Sequence, residues 1–310
     1  IANISFARLN EATVRGLQRN GCEVTVAAGQ GCCGALHIHA GLRDLGRQQA
    51  LQNIEALEKG NYDAYITNAA GCGSVLKEYH ELFEHAPELH QRAKSFSSKI
   101  KDVSEFLAEV DFNKRLGPLP ISITYQDSCH LLHGQKIKQQ PRDMLAAIPE
   151  LTFTELPFSE ICCGSAGVYN VEHTEMSMSL LHEKMRMVRL TGAQTIVTAN
   201  PGCLLQMRAG VEMSNGNERV VHVVELGGHG ELVGIVDGQA AVLVKGVVGE
   251  EAVEALEYVK ADGAGTGGDR GGHEHGVYGA RAAGGAGAYV TFVQENNLAG
   301  AFVGEVEGGA

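Results

Sequence analysis

Two vicinal pairs stand out among the eight cysteines of the chain, Cys32-Cys33-Gly34 and Cys162-Cys163-Gly164. Neighbouring side chains of an extended segment point to opposite faces. Two adjacent thiols therefore meet one site only where the backbone turns, and the Gly after each pair permits that turn. Cys33 and Cys163 are 130 residues apart, and Cys72 and Cys203 are 131 apart. Thr67-Asn68-Ala69-Ala70-Gly71-Cys72 lies over Thr198-Ala199-Asn200-Pro201-Gly202-Cys203, each after a short apolar run. The thiols are thus set out twice, by a tandem repeat of about 130 residues.

Cys129, Cys162, Cys163 and Cys203 give the second repeat four thiols, at steps of 33 and 40 residues around the vicinal pair. Four soft thiolates suit an iron–sulfur cluster or a structural zinc. Buried thiols or a vicinal disulfide are the other readings, the disulfide requiring a strained ring. Zinc ribbons bring their ligands in Cys-x-x-Cys knuckles, which this sequence lacks, so the wide spacing favours a multi-iron cluster. The first repeat offers Cys32, Cys33 and Cys72; the 130-residue offset carries Cys129 back to position −1, so the fourth ligand is expected just upstream of Ile1. Cys22 aligns near Thr152 and opens a strand, where a thiol behaves as a small buried hydrophobe.

His37 and His39 follow the first pair, and His130 and His133 follow Cys129. They could donate hydrogen bonds to ligands from outside, against a structural role that carries the greater weight. His273-Glu274-His275 reads as solvated loop, and Asp127 as a loop cap rather than an acid catalyst. Gly227-Gly228-His229-Gly230 lacks the strand-to-helix setting of a phosphate loop.

The elements that position these residues alternate. In the first repeat, residues 10–20 read as helix, 23–27 as strand, 42–59 as helix and 63–67 as strand, with the cysteine loops between. The second repeats this grammar with strand 121–125, helix 142–148, strand 152–156, helix 172–190 and strand 195–198. Such alternation implies α/β architecture with parallel sheets, whose sites lie at the carboxyl ends of the strands. Apolar residues at 93, 96, 100, 103, 106, 107 and 110 predict an amphipathic helical connector. Gly117-Pro118-Leu119-Pro120 marks a boundary. The expected organisation is two tandem small parallel-sheet α/β domains, 1–116 and 117–226, and a Gly-rich C-terminal segment, 227–310. That last segment holds 22 of the 40 glycines and no Cys, Met or Pro; strands are expected at 288–294 and 301–306 and a helix at 250–258.

A net charge of −12 without a basic cluster argues against nucleic acid as partner. No apolar run reaches the roughly 20 residues of a membrane helix and no signal-peptide pattern opens the chain, so a cytoplasmic or membrane-peripheral location is expected. Vicinal thiols in a chain of this size fit ligands in a reducing compartment better than disulfides.

The stretches Gly29-Gln30-Gly31-Cys32-Cys33-Gly34-Ala35-Leu36-His37, Asn68-Ala69-Ala70-Gly71-Cys72-Gly73, Cys129-His130-Leu131, Cys162-Cys163-Gly164-Ser165-Ala166-Gly167 and Asn200-Pro201-Gly202-Cys203 resemble the tandem cysteine-rich domains of glycolate oxidase (glycolate dehydrogenase) iron–sulfur subunits. The resemblance covers about residues 1–226. It implies an electron-transfer subunit: a flavoprotein partner carrying FAD oxidises glycolate or a related 2-hydroxy acid, and electrons pass toward quinone. It also implies that Cys32, Cys33, Cys72, Cys129, Cys162, Cys163 and Cys203 ligate iron–sulfur clusters, of 4Fe-4S type, on a chain not catalytic by itself. The ferredoxin-like cysteine runs of such subunits are absent from this sequence. A related domain in heterodisulfide reductase makes a thiol-disulfide reductase the alternative, and a zinc-stapled scaffold is a third reading.

Overall fold

The computed structural model describes residues 6–110, 116–227 and 289–292, all of them in one compact unit. In chain order the elements are α1 (Ala7–Arg19), β1 (Glu23–Thr25), α2 (Ala35–His39), α3 (Arg43–Leu57), β2 (Ala64–Thr67), α4 (Ala70–Lys77), α5 (Pro87–Ser98), β3 (Ile100–Asp102) and α6 (Val103–Glu109). They continue as β4 (Ser122–Gln126), a π-helical turn (His130–Gly134), α7 (Gln139–Ala146), β5 (Thr152–Glu155), α8 (Tyr169–Glu172), α9 (Thr174–Thr191), β6 (Thr195–Thr198), α10 (Pro201–Met213), β7 (Arg219–His222), α11 (Val223–Gly227) and β8 (Tyr289–Phe292).

The strands form two four-stranded sheets, ordered β1-β8-β2-β3 and β5-β4-β6-β7, with parallel pairing throughout. The two orders superpose position for position, so the α/β architecture and its duplication are as expected. β8 stands in the first sheet where β4 stands in the second, and it comes from the Gly-rich segment. The strand expected at 288–294 thus spans Tyr289–Phe292, while the expected helix 250–258 and strand 301–306 lie outside the described residues.

Hydrophobic burial sets each layer. Along α3 the buried positions Gly46, Ala50, Asn53, Ile54 and Leu57 recur at three- and four-residue steps, which lays one stripe of the helix on the sheet. β2 and β6 are buried at every position, as strands covered on both faces must be. Tyr79 stacks on Phe96 with ring centroids 5.4 Å apart, closing the first core. Ile123, Leu145, Ile196, Val197 and Met207 are fully buried in the second.

The connector differs from its expectation. Rather than one helix, residues 93–110 form the end of α5, the strand β3 and α6. The cause is Asp102, whose carboxylate accepts from Ser104 N–H while Glu105 reaches back to the Asp102 N–H. This capping box starts a new helix, and Ile100–Asp102 is left to pair with β2. No helix among the described residues is long and apolar enough to cross a membrane.

Candidate metal centre

In a parallel sheet the loops that follow the strands gather on one edge. Cys129 follows β4, Cys162 and Cys163 follow β5, and Cys203 follows β6 in the first turn of α10. All eight cysteines are thiols rather than disulfides.

The strand ends are tied before the thiols begin. Arg142 on α7 holds Asp127 with both terminal nitrogens, at 2.9 and 2.8 Å, and Ser159 Oγ donates to the same carboxylate at 2.7 Å. Gln126 Nε2 spans from Asp127 O at 2.8 Å to Ile161 O at 3.3 Å. The β4 loop and the β5 loop are thereby fixed to each other, as the reading of Asp127 as a loop cap requires. Gly164 has φ 95°, a conformation that costs an L-residue strain, and its N–H points at Cys162 Sγ, 3.3 Å away. Ser177 Oγ donates to Gly164 O at 2.9 Å, and Lys184 Nζ donates to Phe158 O at 2.6 Å.

The four sulfurs are electrostatic neighbours in the order Cys129–Cys162–Cys163–Cys203. The Cys162 thiol is held far below its ordinary range, first by the neighbouring Cys129 thiol and then by Cys163, with Gly164 N–H and the Lys184 charge adding to this against burial. Cys203 is lowered as well, by Cys163 first and then by Asn200 and Ser128, again against burial. Cys129 is raised by the neighbouring Cys162 and by burial, and Cys163 by Cys162, Cys203 and burial.

The first copy gathers three thiols by the same devices. Gly34, with φ 78°, points its N–H at Cys32 Sγ, 3.5 Å away. Asn53 accepts from Gly31 N–H at 2.7 Å and donates to Cys32 O at 2.9 Å, and Tyr79 OH donates to Cys33 O at 2.8 Å. Burial raises the Tyr79 hydroxyl well above its usual range, and Cys33, Cys32 and Cys72 each raise it further. The three sulfurs thus lie within electrostatic reach of one buried hydroxyl. Cys22 is not among them: it lies at the amino end of β1, away from the loop edge, buried and with its pKa raised by that burial.

Of the histidines, His130 Nδ1 lies 3.6 Å from Cys129 Sγ, and its ring stands 5.9 Å from that of His39. Burial, and then His39, lowers the His130 pKa. His37 pairs with Gln49 at 2.9 Å and His133 with Glu160 O at 3.4 Å. His229, His273 and His275 lie outside the described residues. Sequence reasoning missed Arg142, Lys184, Asn53, Tyr79 and Asn200. Asn200 alone had a signal, since it stands in the repeated stretch before Cys203; its Nδ2 lies 3.6 Å from Cys203 Sγ and its Oδ1 accepts from Gly71 N–H of the first copy at 3.2 Å.

Four free thiols gathered on the loops after β4, β5 and β6 are the soft donors that such metals take, so the chemistry of the set fits an iron–sulfur group. Among the described residues no three Cys, His, Asp or Glu side chains stand around one point as the ligands of a single ion would. Seating a group in the second copy therefore requires the sulfurs to shift toward a common point.

The sequence profile of the cysteine-rich domain, CCG, matches residues 2–77 and 123–208, which together hold all eight cysteines. The chain belongs to the cysteine-rich domain family. Within the curated proteins it is 46% identical over 225 residues to the probable glycolate oxidase iron-sulfur subunit of Bacillus subtilis (strain 168), covering 71% of this chain and 51% of that protein. It is 30% identical over 227 residues to lactate utilization protein A of Oceanobacillus iheyensis, covering 73% of this chain and 92% of the relative. A fumarate reductase (CoM/CoB) subunit of Methanothermobacter marburgensis is 35% identical over 216 residues, covering 69% of this chain and 42% of its own length. The chain thus spans about half of the first relative and nearly all of the second. Both cysteine-rich domain matches include their Cys-Cys-Gly loop and the thiol that follows β2 or β6.

Proposed function

We propose that the chain is the iron–sulfur electron-transfer subunit of a glycolate or related 2-hydroxy-acid dehydrogenase. It would take electrons from a flavoprotein partner that carries FAD and pass them toward quinone, at the cytoplasmic side of a membrane to which it attaches peripherally. Substrate oxidation is assigned to the partner, and the working division of the chain is 1–116, 117–226 and 227–310. The observation that carries this reading is the row of four sulfurs at the carboxyl edge of β4, β5 and β6.

In this reading Cys129, Cys162, Cys163 and Cys203 hold a cluster of 4Fe-4S type in the second copy, and Cys32, Cys33 and Cys72 contribute three ligands in the first. Such a group supplies one-electron storage and release at a potential set by its surroundings. The residues around it do the rest. Gly164 N–H and Asn200 direct hydrogen bonds at sulfur, which tunes such a centre. Arg142 and Gln126 keep the β4 and β5 loops at fixed separation.

The test is anaerobic co-expression with a flavin-containing 2-hydroxy-acid dehydrogenase subunit. Co-purification and bleaching of the chain's visible absorption on adding glycolate or lactate support the reading. A pair loaded with flavin and cluster that stays unbleached with either acid contradicts it.

A further inference from the structure

Lys184 is only 3% exposed, on α9 beneath the loop that carries Cys162 and Cys163. Its ammonium donates to Phe158 O at 2.6 Å and to Ser159 O at 3.4 Å, and no carboxylate among the described residues forms an ion pair with it. A buried ammonium without an ion-pair partner is costly to keep. Bracing the loop does not explain it, because the first copy braces its loop without a charge. Gly34 approaches Gly46 and Gly164 approaches Ser177 at the same place on their helices. The step from Gly46 to Ser177 is 131 residues, and the step from Asn53 to Lys184 is also 131. Asn53 thus occupies the equivalent position and ties its loop with a neutral amide.

Burial lowers the Lys184 pKa, and the groups whose negative charge opposes this are Cys163, Glu160, Cys162 and Asp127. Asp127 is already matched by Arg142, and Glu160 is exposed to solvent, where its field is screened. What remains for the ammonium to balance is negative charge at the sulfurs. We propose that Lys184 is the fixed counter-charge of the second cysteine site, a tuning residue that favours the more reduced, more negative state of the group those thiols hold. The inference rests on the iron–sulfur reading of that site. A cation held in a poorly screened interior stabilises added negative charge, so its removal lowers the reduction potential.

The experiment is a redox titration, followed by electron paramagnetic resonance, of the anaerobically loaded full chain and of three variants. Lys184→Gln keeps an amide donor, as Asn53 does; Lys184→Met keeps the packing of the stem; Lys184→Arg keeps the charge. The two neutral variants are expected to bind as much iron as wild type but to show a reduced-to-oxidised ratio about tenfold lower at a fixed ambient potential, or about 59 mV for one electron. Lys184→Arg is expected to stay within about threefold of wild type. Full iron with an unchanged ratio in a neutral variant overturns the proposal, as does an equal fall in Lys184→Arg. A wild-type chain with neither iron nor sulfide overturns the parent reading, and this one with it.

Discussion

Arg142 and Asp127 face each other as fork and carboxylate, NH1 to Oδ1 at 2.9 Å and NH2 to Oδ2 at 2.8 Å, two residues before Cys129. Both side chains are withdrawn from water, at 9% and 3% exposure, whereas the other partner of Arg142, Glu155, is 57% exposed. Removing one member of a buried pair strands the other. Asp127→Ala is expected to cost about 3–5 kcal/mol and Glu155→Ala under about 1 kcal/mol. Urea denaturation of the two variants measures the difference, and equal losses would contradict a buried role for the Asp127 arm.

Two buried groups titrate in the same pH window with opposite sign. His222 accepts from Val224 N–H at 3.3 Å and is lowered to about 4 by burial, partly opposed by the carbonyls of Ala199 and Asn68. Its folded pKa lies below its unfolded one, so its contribution is full above about pH 6.5 and is lost as pH falls toward 4. Asp102 is raised to about 6 by burial, against the hydrogen bonds from Ser104. It favours the folded state below about pH 4, and that contribution is lost as pH rises toward 6. Each spans up to about 3 kcal/mol, so the two contributions largely offset each other between pH 4 and 6.5. Asp102→Asn should then gain stability with rising pH and His222→Gln should lose it. Parallel profiles for the two variants would refute this assignment.

The turn glycines differ in what a methyl group would meet. At Gly34 a Cβ would lie 3.0 Å from the end of the Gln49 side chain, while at Gly164 it would lie 2.5 Å from the Ser177 backbone oxygen. Gly34→Ala is expected to cost about 1–2 kcal/mol, the strain of a left-handed residue. Gly164→Ala should cost more and displace Cys162. Thermal melts and thiol-alkylation rates of the two variants check the order.

Much of this was legible in the residues. The 130-residue offset and the Gly after each vicinal pair located the cysteine loops, and most strands fall within a residue or two of their apolar runs. The connector was not legible, because Ile100 continues the helical spacing of Phe96 and Val103 while serving as a strand residue in β3. Only the hydrogen bonds of Asp102 reveal the break. The place of β8 between β1 and β2 is set by sheet order, which local pattern does not carry. Lys184 had no signal, since a lysine on a helix reads as solvated until the loop above it is in place.

The central claim, that the second copy holds an iron–sulfur group on Cys129, Cys162, Cys163 and Cys203, is tested most directly by iron, zinc and acid-labile sulfide content. The protein is the full chain reconstituted anaerobically, alongside Cys203→Ser and Cys22→Ser. The account predicts iron and sulfide in equal amounts in the wild type and in Cys22→Ser, and a marked loss of both in Cys203→Ser. Zinc without sulfide, or full iron and sulfide in Cys203→Ser, would contradict it.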